Sequence, residues 1–150
     1  MTKGNTSMAI YHLYIKIFSR GKGASVIAKS AYRAAEAIKS DHDGIIYDYS
    51  RKRGIVHKEI LLPENAPVEY ADRSVLWNAV EESERNSNAQ LAREIEVSLP
   101  VELSREQNIK LVRDYVKRHF VDQVFLPIKY SRNLLTINGR LHKDKKAVIV

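Results

Sequence analysis

Residues Gln90–Leu99 read QLAREIEVSL, and this segment decides the fold class because its side chains alternate with a period of two. Such alternation is typical of a β-strand that buries one face. One face carries Leu91, Arg93, Ile95, Val97 and Leu99, and the other carries Ala92, Glu94, Glu96 and Ser98. A second segment, Ala9–Phe18, alternates in the same way, with Tyr11, Leu13, Ile15 and Ile17 on one face and His12, Tyr14 and Lys16 on the other. We therefore expect a sheet to form around these two strands.

Three segments around these strands are predicted to be helices. Ser25 is suited to cap an alanine-rich helix that runs to about Lys39, and Asp72 is suited to cap a second helix. Ser104 and Gln107 form a capping-box pattern ahead of a third helix. Its apolar stripe would consist of Ile109, Val112, Tyr115, Val116, His119 and Phe120.

The connecting segments add one strand, one turn and one core residue to the prediction. Residues 41–53 are polar and turn-rich around Gly44, whereas Ile55–Leu62 alternates weakly and predicts a further strand. Trp77, in the second predicted helix, is expected to anchor the core. Segment 122–150 shows no clear period and indicates short strands or loops.

The composition bounds the class of protein. At 150 residues with 44% hydrophobic side chains, the chain has the length of one domain with its own core. It contains no cysteine, which excludes disulfides, thiolate metal ligands and a thiol nucleophile. Residues 1–7 are polar and read as an N-terminal tail, and no apolar run is long enough to cross a membrane. We expect a cytoplasmic protein with no membrane contact.

Charge is distributed unevenly along the chain, whose formal net charge is +7. Residues 1–35 hold six basic side chains and no acidic one, residues 36–123 hold 13 basic and 17 acidic, and residues 124–150 hold six basic and one acidic. Basic clusters of this kind attract polyanions through counterion release, so nucleic acid is the first partner to consider. A generally basic, well-solvated surface is the alternative.

Two groups of side chains could carry chemistry. On the first predicted helix, Lys29 and Arg33 lie beside Tyr32 and could hold a phosphate while the phenol attacks it. The alternative is a tyrosine that packs its ring on the sheet with its hydroxyl in water. Glu94 and Glu96 share a strand face and could bind a cation or act as a base, or could simply face solvent. His12 is a lone histidine, the kind that is more often structural.

Five ordered stretches resemble one family. They are MAIYHL at 8–13, AKSAYR at 28–33, HKEILLPENAP at 57–67, the segment 72–78 that begins with Asp-Arg and ends with Leu-Trp-Asn, and AREIEVSLP at 92–100. Together they resemble the N-terminal part of the MobA/MobL plasmid mobilisation relaxases. The resemblance covers about residues 8–121.

The resemblance implies an HUH-type, metal-dependent, site-specific endonuclease with an α+β fold, in which helices pack on one side of a mainly antiparallel sheet. Such an enzyme nicks single-stranded DNA at a transfer origin through a tyrosine and remains joined to the 5′ end. The family tyrosine matches Tyr32 and the family glutamate matches Glu94, with Glu96 as a second candidate. The resemblance also implies a divalent cation (Mg²⁺ or Mn²⁺) and, as further partners, accessory mobilisation proteins. Side chains expected to contact DNA are Lys16, Arg20, Lys22, Lys29 and Arg33.

One departure from the family pattern limits these expectations. The family holds its cation with three histidines that follow the third helix, whereas this chain has only His142 after Val121. One imidazole cannot replace three ligands, so no metal ligands are assigned. We therefore expect a relaxase-like region at 8–121 and a divergent basic tail at 122–150. On this hypothesis the chain is a truncated or frameshifted relaxase with impaired activity, and its sheet lacks the closing strands.

Two other functions remain open from the sequence. The basic face could bind origin DNA without cutting it, as a non-catalytic module. The chain could also be an inert remnant of a relaxase with an incomplete core.

Overall fold

A computed structural model of the chain describes residues 13–23, 25–84, 86–122, 135–138 and 146–149, with the backbone alone for residues 22, 135–138 and 146–149. The predicted N-terminal tail, His12 and His142 lie outside these residues. Within the described part, the strands are β1 (Leu13–Ser19), β2 (Ala37–Lys39), β3 (Ile46–Asp48), β4 (Glu59–Leu61), β5 (Gln90–Ser98), β6 (Leu135–Asn138) and β7 (Lys146–Ile149). The α-helices are α1 (Val26–Ala34), α2 (Arg73–Ser83) and α3 (Arg105–Val116).

The two alternating segments pair with each other. β1 and β5 run antiparallel, in a register that places Leu13 opposite Val97 and Phe18 opposite Ala92. The register shifts between Phe18 and Ser19, which leaves Leu91 without a paired residue. The five-stranded sheet has the order β1-β5-β7-β6-β4, and each of its described pairings is antiparallel. The predicted α+β fold with a mainly antiparallel sheet is confirmed.

Helix α1 begins as predicted and ends earlier than predicted. The Ser25 hydroxyl accepts a hydrogen bond from the Ala28 backbone N–H at 3.1 Å. The predicted extension to Lys39 is wrong, because Ala35 takes a left-handed conformation with φ 52° and stops the helix after Ala34. Residues 37–39 instead form β2, which pairs with β3 around the turn that contains Gly44 at φ 72°.

The other two helix starts follow the sequence prediction. The Asp72 carboxylate accepts a hydrogen bond from the Val75 N–H at 3.1 Å. Ser104 and Gln107 form a reciprocal capping box at α3, with bonds of 2.9 and 3.2 Å. The apolar stripe of α3 is narrower than predicted, since Val112 and Val116 are buried whereas Tyr115 and His119 are exposed.

The core consists of two clusters. One joins α1, α2 and β2 around Trp77, which is 2% exposed, as expected of a core anchor. The other joins α3 to the sheet through Ile95 and Val97. Because neighbouring side chains on a strand point to opposite faces, and α1 binds Glu94, α1 and α3 lie on opposite faces of the sheet. The placement of the helices on both faces thus differs from the expectation of one side.

The sheet also differs from the expectation that closing strands would be missing. β6 and β7 come from segment 122–150, yet β7 pairs with β5 and β6 pairs with β4. The weak periodicity of this segment did not predict the positions of its strands. In the structure their register is set by the neighbouring strands, because β6 and β7 lie inside the sheet and each pairs on both sides. The strand predicted at Ile55–Leu62 is shorter in the structure and is limited to β4. Among the described residues, no helix has both the length and the apolar character needed to cross a membrane.

Candidate functional site

Tyr32 lies on the accessible side of an otherwise buried helix. Its side chain is 38% exposed, although it sits in the middle of the sequence that packs α1 into the core. The buried residues of this helix are Val26, Ile27, Ser30, Ala31 and Ala34. Tyr32 is therefore partly accessible from solvent, although the helix that carries it is packed into the core.

The ring of Tyr32 has two neighbours that the sequence analysis did not identify. Tyr49 meets it edge-on, with ring centroids 5.3 Å apart and an interplanar angle of 89°. The Lys52 ammonium lies 3.3 Å from the ring centroid, within cation–π range. The signal was present in the sequence as Tyr47-Asp48-Tyr49 followed by a basic run, but a polar turn explained it equally well.

Two lysines hold the C-terminal end of α1. The last carbonyl groups of a helix lack partners within the helix and attract cations. Lys52 donates a 2.8 Å hydrogen bond to the Tyr32 carbonyl oxygen, and Lys58 donates a 3.1 Å bond to that of Ala34. Lys58 also pairs with Glu36 at 2.6 Å. The residues at the end of α1 are therefore fixed by side chains from the segment that follows β3.

Arg33 and Glu94 form a buried ion pair next to Tyr32. The Arg33 Nε donates to Glu94 Oε2 at 2.8 Å, and a second guanidinium N–H donates to Oε1. Glu94 is 3% exposed, so its carboxylate does not face solvent. Both carboxylate oxygens are engaged by the guanidinium, an arrangement that fixes Arg33 in one orientation.

Lys16 and Lys29 come together over one aromatic ring. Lys16 on β1 lies 5.7 Å and Lys29 on α1 lies 5.4 Å from the centroid of the buried Phe18 ring. Lys16 is also directly opposite Glu94 in the β1–β5 register. Three of the five predicted DNA-contacting residues, Lys16, Lys29 and Arg33, therefore converge where α1 crosses β1 and β5.

The other two predicted contacts are not brought into this cluster. Arg20 turns toward α2, where its guanidinium bonds the Glu81 carboxylate at 3.2 Å and the carbonyl oxygens of Glu81 and Glu84. This arrangement satisfies carbonyl groups at the C-terminal end of α2. Lys22 lies in a short 3₁₀ turn, Arg20–Lys22, and only its backbone is described. Glu96 is half-buried on β5, between Tyr14 of β1 and Val148 of β7 in the register.

The described residues do not supply a site for the divalent cation that the resemblance implies. Among residues 13–23, 25–84 and 86–122 and the two short strands, no three His, Asp or Glu side chains lie close enough to share an ion. Glu94, the matched family carboxylate, directs both oxygens to Arg33.

A sequence profile of the MobA/MobL family matches residues 24–126. The chain belongs to the MobA/MobL family. This MobA/MobL protein is 44% identical over 124 residues to conjugal transfer protein TraA of Rhizobium radiobacter, and the aligned region covers 76% of this chain and 11% of TraA. It is also 44% identical over 110 residues to mobilization protein MobL of Acidithiobacillus ferridurans, covering 73% of this chain and 28% of MobL. The chain thus spans a minor part of these curated relatives.

A solved structure resembles this MobA/MobL protein over most of its length. That structure was solved in work on the molecular basis of vancomycin resistance transfer in Staphylococcus aureus. It superposes with a TM-score of 0.78 at 33% identity, and the match covers 94% of this chain and 69% of the other. The resemblance seen in the five sequence stretches is therefore confirmed by sequence and by fold.

Proposed function

We propose that this MobA/MobL protein acts in plasmid mobilisation by cutting single-stranded DNA at a transfer origin, with Tyr32 as the nucleophile. The observation that carries the proposal is the exposed phenol of Tyr32 on a buried helix, with cationic side chains around it. Relatives that share this region are conjugal transfer and mobilisation proteins, which supports the role. The family's relaxase activity is the chemistry that such a tyrosine would perform.

The proposed reaction exchanges one phosphate ester for another. The Tyr32 oxygen attacks the scissile phosphorus, a bond from the phenolic oxygen to phosphorus forms, and the bond from phosphorus to the 3′ oxygen breaks. The phenol proton passes to a general base, and the departing 3′ oxygen takes up a proton to become a hydroxyl. The products are a 5′-phosphotyrosine and a free 3′ end, with no change in the number of phosphate esters.

The surrounding cations would hold the DNA backbone and stabilise the reacting phosphate. Lys29, one helical turn before Tyr32, and Lys16 beside it are proposed to contact phosphates of the bound strand. Arg33 is the third cation of this group. Positive groups that are already oriented stabilise the negative charge that develops in the transition state. Arg20, which bonds α2, is proposed to contribute less to binding.

The two glutamates are proposed to differ in role. Glu94 accepts both bonds from Arg33, so it would act by orienting the guanidinium and not by direct contact with substrate. Glu96 lies two residues further along the same face and is half-buried. It is therefore the candidate for proton transfer during the ester exchange.

The test is a search for a covalent protein–DNA adduct. Single-stranded oligonucleotides labelled at the 3′ end, tiling both strands of the replicon that encodes the chain, are incubated with the protein, with Mg²⁺ or Mn²⁺ and in parallel with EDTA. Because the nucleophile would keep the 5′ phosphate, the 3′ label should move with the protein on a denaturing gel. Tyr32→Phe should abolish the adduct, whereas Tyr115→Phe, an exposed tyrosine on α3, should retain it.

Binding and cutting are separated in the same samples. Affinity for the oligonucleotide is measured at several salt concentrations. Each lost phosphate contact on a single strand reduces the steepness of the plot of log affinity against log salt by about 0.7. Lys29→Ala should make this plot less steep, and Arg93→Ala, at an exposed arginine on β5, is the matched control. Salt-sensitive binding without any adduct would replace the nicking proposal by a non-catalytic DNA-binding module. An adduct that persists in Tyr32→Phe would refute the assignment of the nucleophile.

A further inference from the structure

We infer that Lys52 is a positioning residue for Tyr32, an inference that rests on the proposed function of Tyr32. Lys52 makes two contacts with the same residue, 20 positions earlier in the chain. Its ammonium lies 3.3 Å from the centroid of the Tyr32 ring and donates to the Tyr32 carbonyl oxygen at 2.8 Å. One side chain thus fixes both the backbone and the ring of the proposed nucleophile.

The turn that carries Lys52 is itself attached to the end of α1. The Tyr49 N–H donates to the Glu36 carbonyl oxygen at 3.0 Å, and the Lys52 N–H donates to that of Tyr49 at 2.9 Å. These two backbone bonds set the distance between the turn and the helix. The Lys52 ammonium consequently reaches Tyr32 from a fixed base, and little side-chain entropy remains to be lost when DNA binds.

Tyr49 restricts the ring further. Its edge-on contact at 5.3 Å and 89° is a favourable geometry for two aromatic rings, and it uses the same turn as Lys52. A ring with a cation over its face and a second ring against it has few remaining rotamers. The phenolic oxygen is therefore presented in one direction on an exposed part of the helix. Nucleophilic attack in line with the leaving group requires such alignment.

Lys58 provides a matched control within the same structure. It also donates to a carbonyl oxygen at the end of α1, that of Ala34, and it pairs with Glu36. Among the contacts of the described residues, its ammonium bonds the helix end and Glu36, whereas that of Lys52 also covers the Tyr32 ring. Loss of Lys58 should fray the end of α1 at least as much as loss of Lys52. Any effect specific to Lys52→Ala then reports on the ring.

The experiment reads the ring directly and the reaction separately. The protein is labelled with ¹³C in its eight tyrosine rings, and the Tyr32 signal is assigned by its loss in Tyr32→Phe. In Lys52→Ala the Tyr32 ring signal should shift and its relaxation should report faster motion, and both changes should be clearly larger than in Lys58→Ala. Lys52→Arg should restore the signal, since a guanidinium also stacks on aromatic rings. At saturating oligonucleotide, the rate of adduct formation in Lys52→Ala should fall by about tenfold, with affinity unchanged within about twofold.

The outcomes distinguish the inference from the function on which it rests. An unchanged Tyr32 ring signal in Lys52→Ala overturns the positioning role, whatever the activity. A changed signal with an unchanged rate overturns its relevance to the reaction. If the wild-type chain forms no adduct, the proposed cutting fails, and a ring released by Lys52→Ala but held in Lys58→Ala still supports the positioning role.

Discussion

Removal of the Arg33 guanidinium should destabilise the whole domain, because it leaves the Glu94 carboxylate buried without its partner. Arg33→Met keeps most of the aliphatic stem of the side chain and removes both bonds to Glu94. Breaking a buried ion pair from one side costs about 3–5 kcal/mol. Lys16, opposite Glu94 in the register, offers partial compensation, so we expect a loss of about 3 kcal/mol. Against a total stability of about 5–15 kcal/mol, that is a large fraction.

The loss is measured by urea unfolding followed by circular dichroism, with the free energy of unfolding taken from linear extrapolation. Arg93→Met on the same strand is the control, because Arg93 is exposed and its replacement should change stability by less than about 0.5 kcal/mol. The double variant Arg33→Met/Glu94→Leu should be more stable than Arg33→Met alone, since no charge is then left buried. If Arg33→Met costs no more than Arg93→Met, the carboxylate does not depend on Arg33 and the argument is refuted.

Two further predictions concern the helix ends and the acid dependence of stability. Ala35→Gly should raise the free energy of unfolding by about 1 kcal/mol, because glycine adopts the left-handed conformation without the steric penalty of a Cβ; a lower urea midpoint would contradict this. The pKa of Glu59 is lowered from its usual 4.5, chiefly by hydrogen bonds from Arg113. Burial raises this pKa in part, and the positive charge of Arg113 lowers it further. The ionised Glu59 carboxylate contributes fully to the free energy of unfolding above pH 4.5, and this contribution is lost as the pH falls through the lowered pKa. On acidification, the wild type should therefore lose up to about 1 kcal/mol more of its unfolding free energy than Glu59→Gln does. Parallel pH profiles of unfolding for the two proteins would disprove the link.

Local signals predicted much of the fold. The starts of all three described α-helices were predicted because a capping side chain acts within three or four residues of its own position, as at Ser25 and Ser104. The alternation in β1 and β5 predicted both strands, but the expected burial of one face of β1 is wrong. Leu13, Ile15 and Ile17 are 43–56% exposed, and Phe18 is the one buried residue of β1. Trp77 was predicted in the core because burial of a large aromatic side chain removes much apolar surface from water.

The features that the sequence did not predict depend on distant partners. The end of α1 was misplaced because alanine propensity favours a longer helix, whereas burial of Ile38 and pairing of β2 with β3 outweigh that preference. β6 and β7 have no strong period, and only their neighbours in the sheet give them a register.

The candidate site was predicted in part. Tyr32, Lys29, Arg33 and Glu94 were identified from their motifs, but the bond between Arg33 and Glu94 joins residues far apart in the chain and has no local signal. Lys52 was missed for the same reason. Its role depends on the path of the β2–β3 hairpin back to the helix, which the composition of a polar turn does not reveal.

The order of strands in the sheet has a consequence for the speed of folding. Leu13 pairs with Val97 and Glu59 with Ile137, so the strands of the main sheet meet partners made much later in the chain. Closing such long loops costs entropy before any contact compensates for it, and domains dominated by distant pairings fold slowly. Until β7 docks, β5 exposes one unpaired edge to solvent. During synthesis or refolding, two partly folded chains would first associate through that edge.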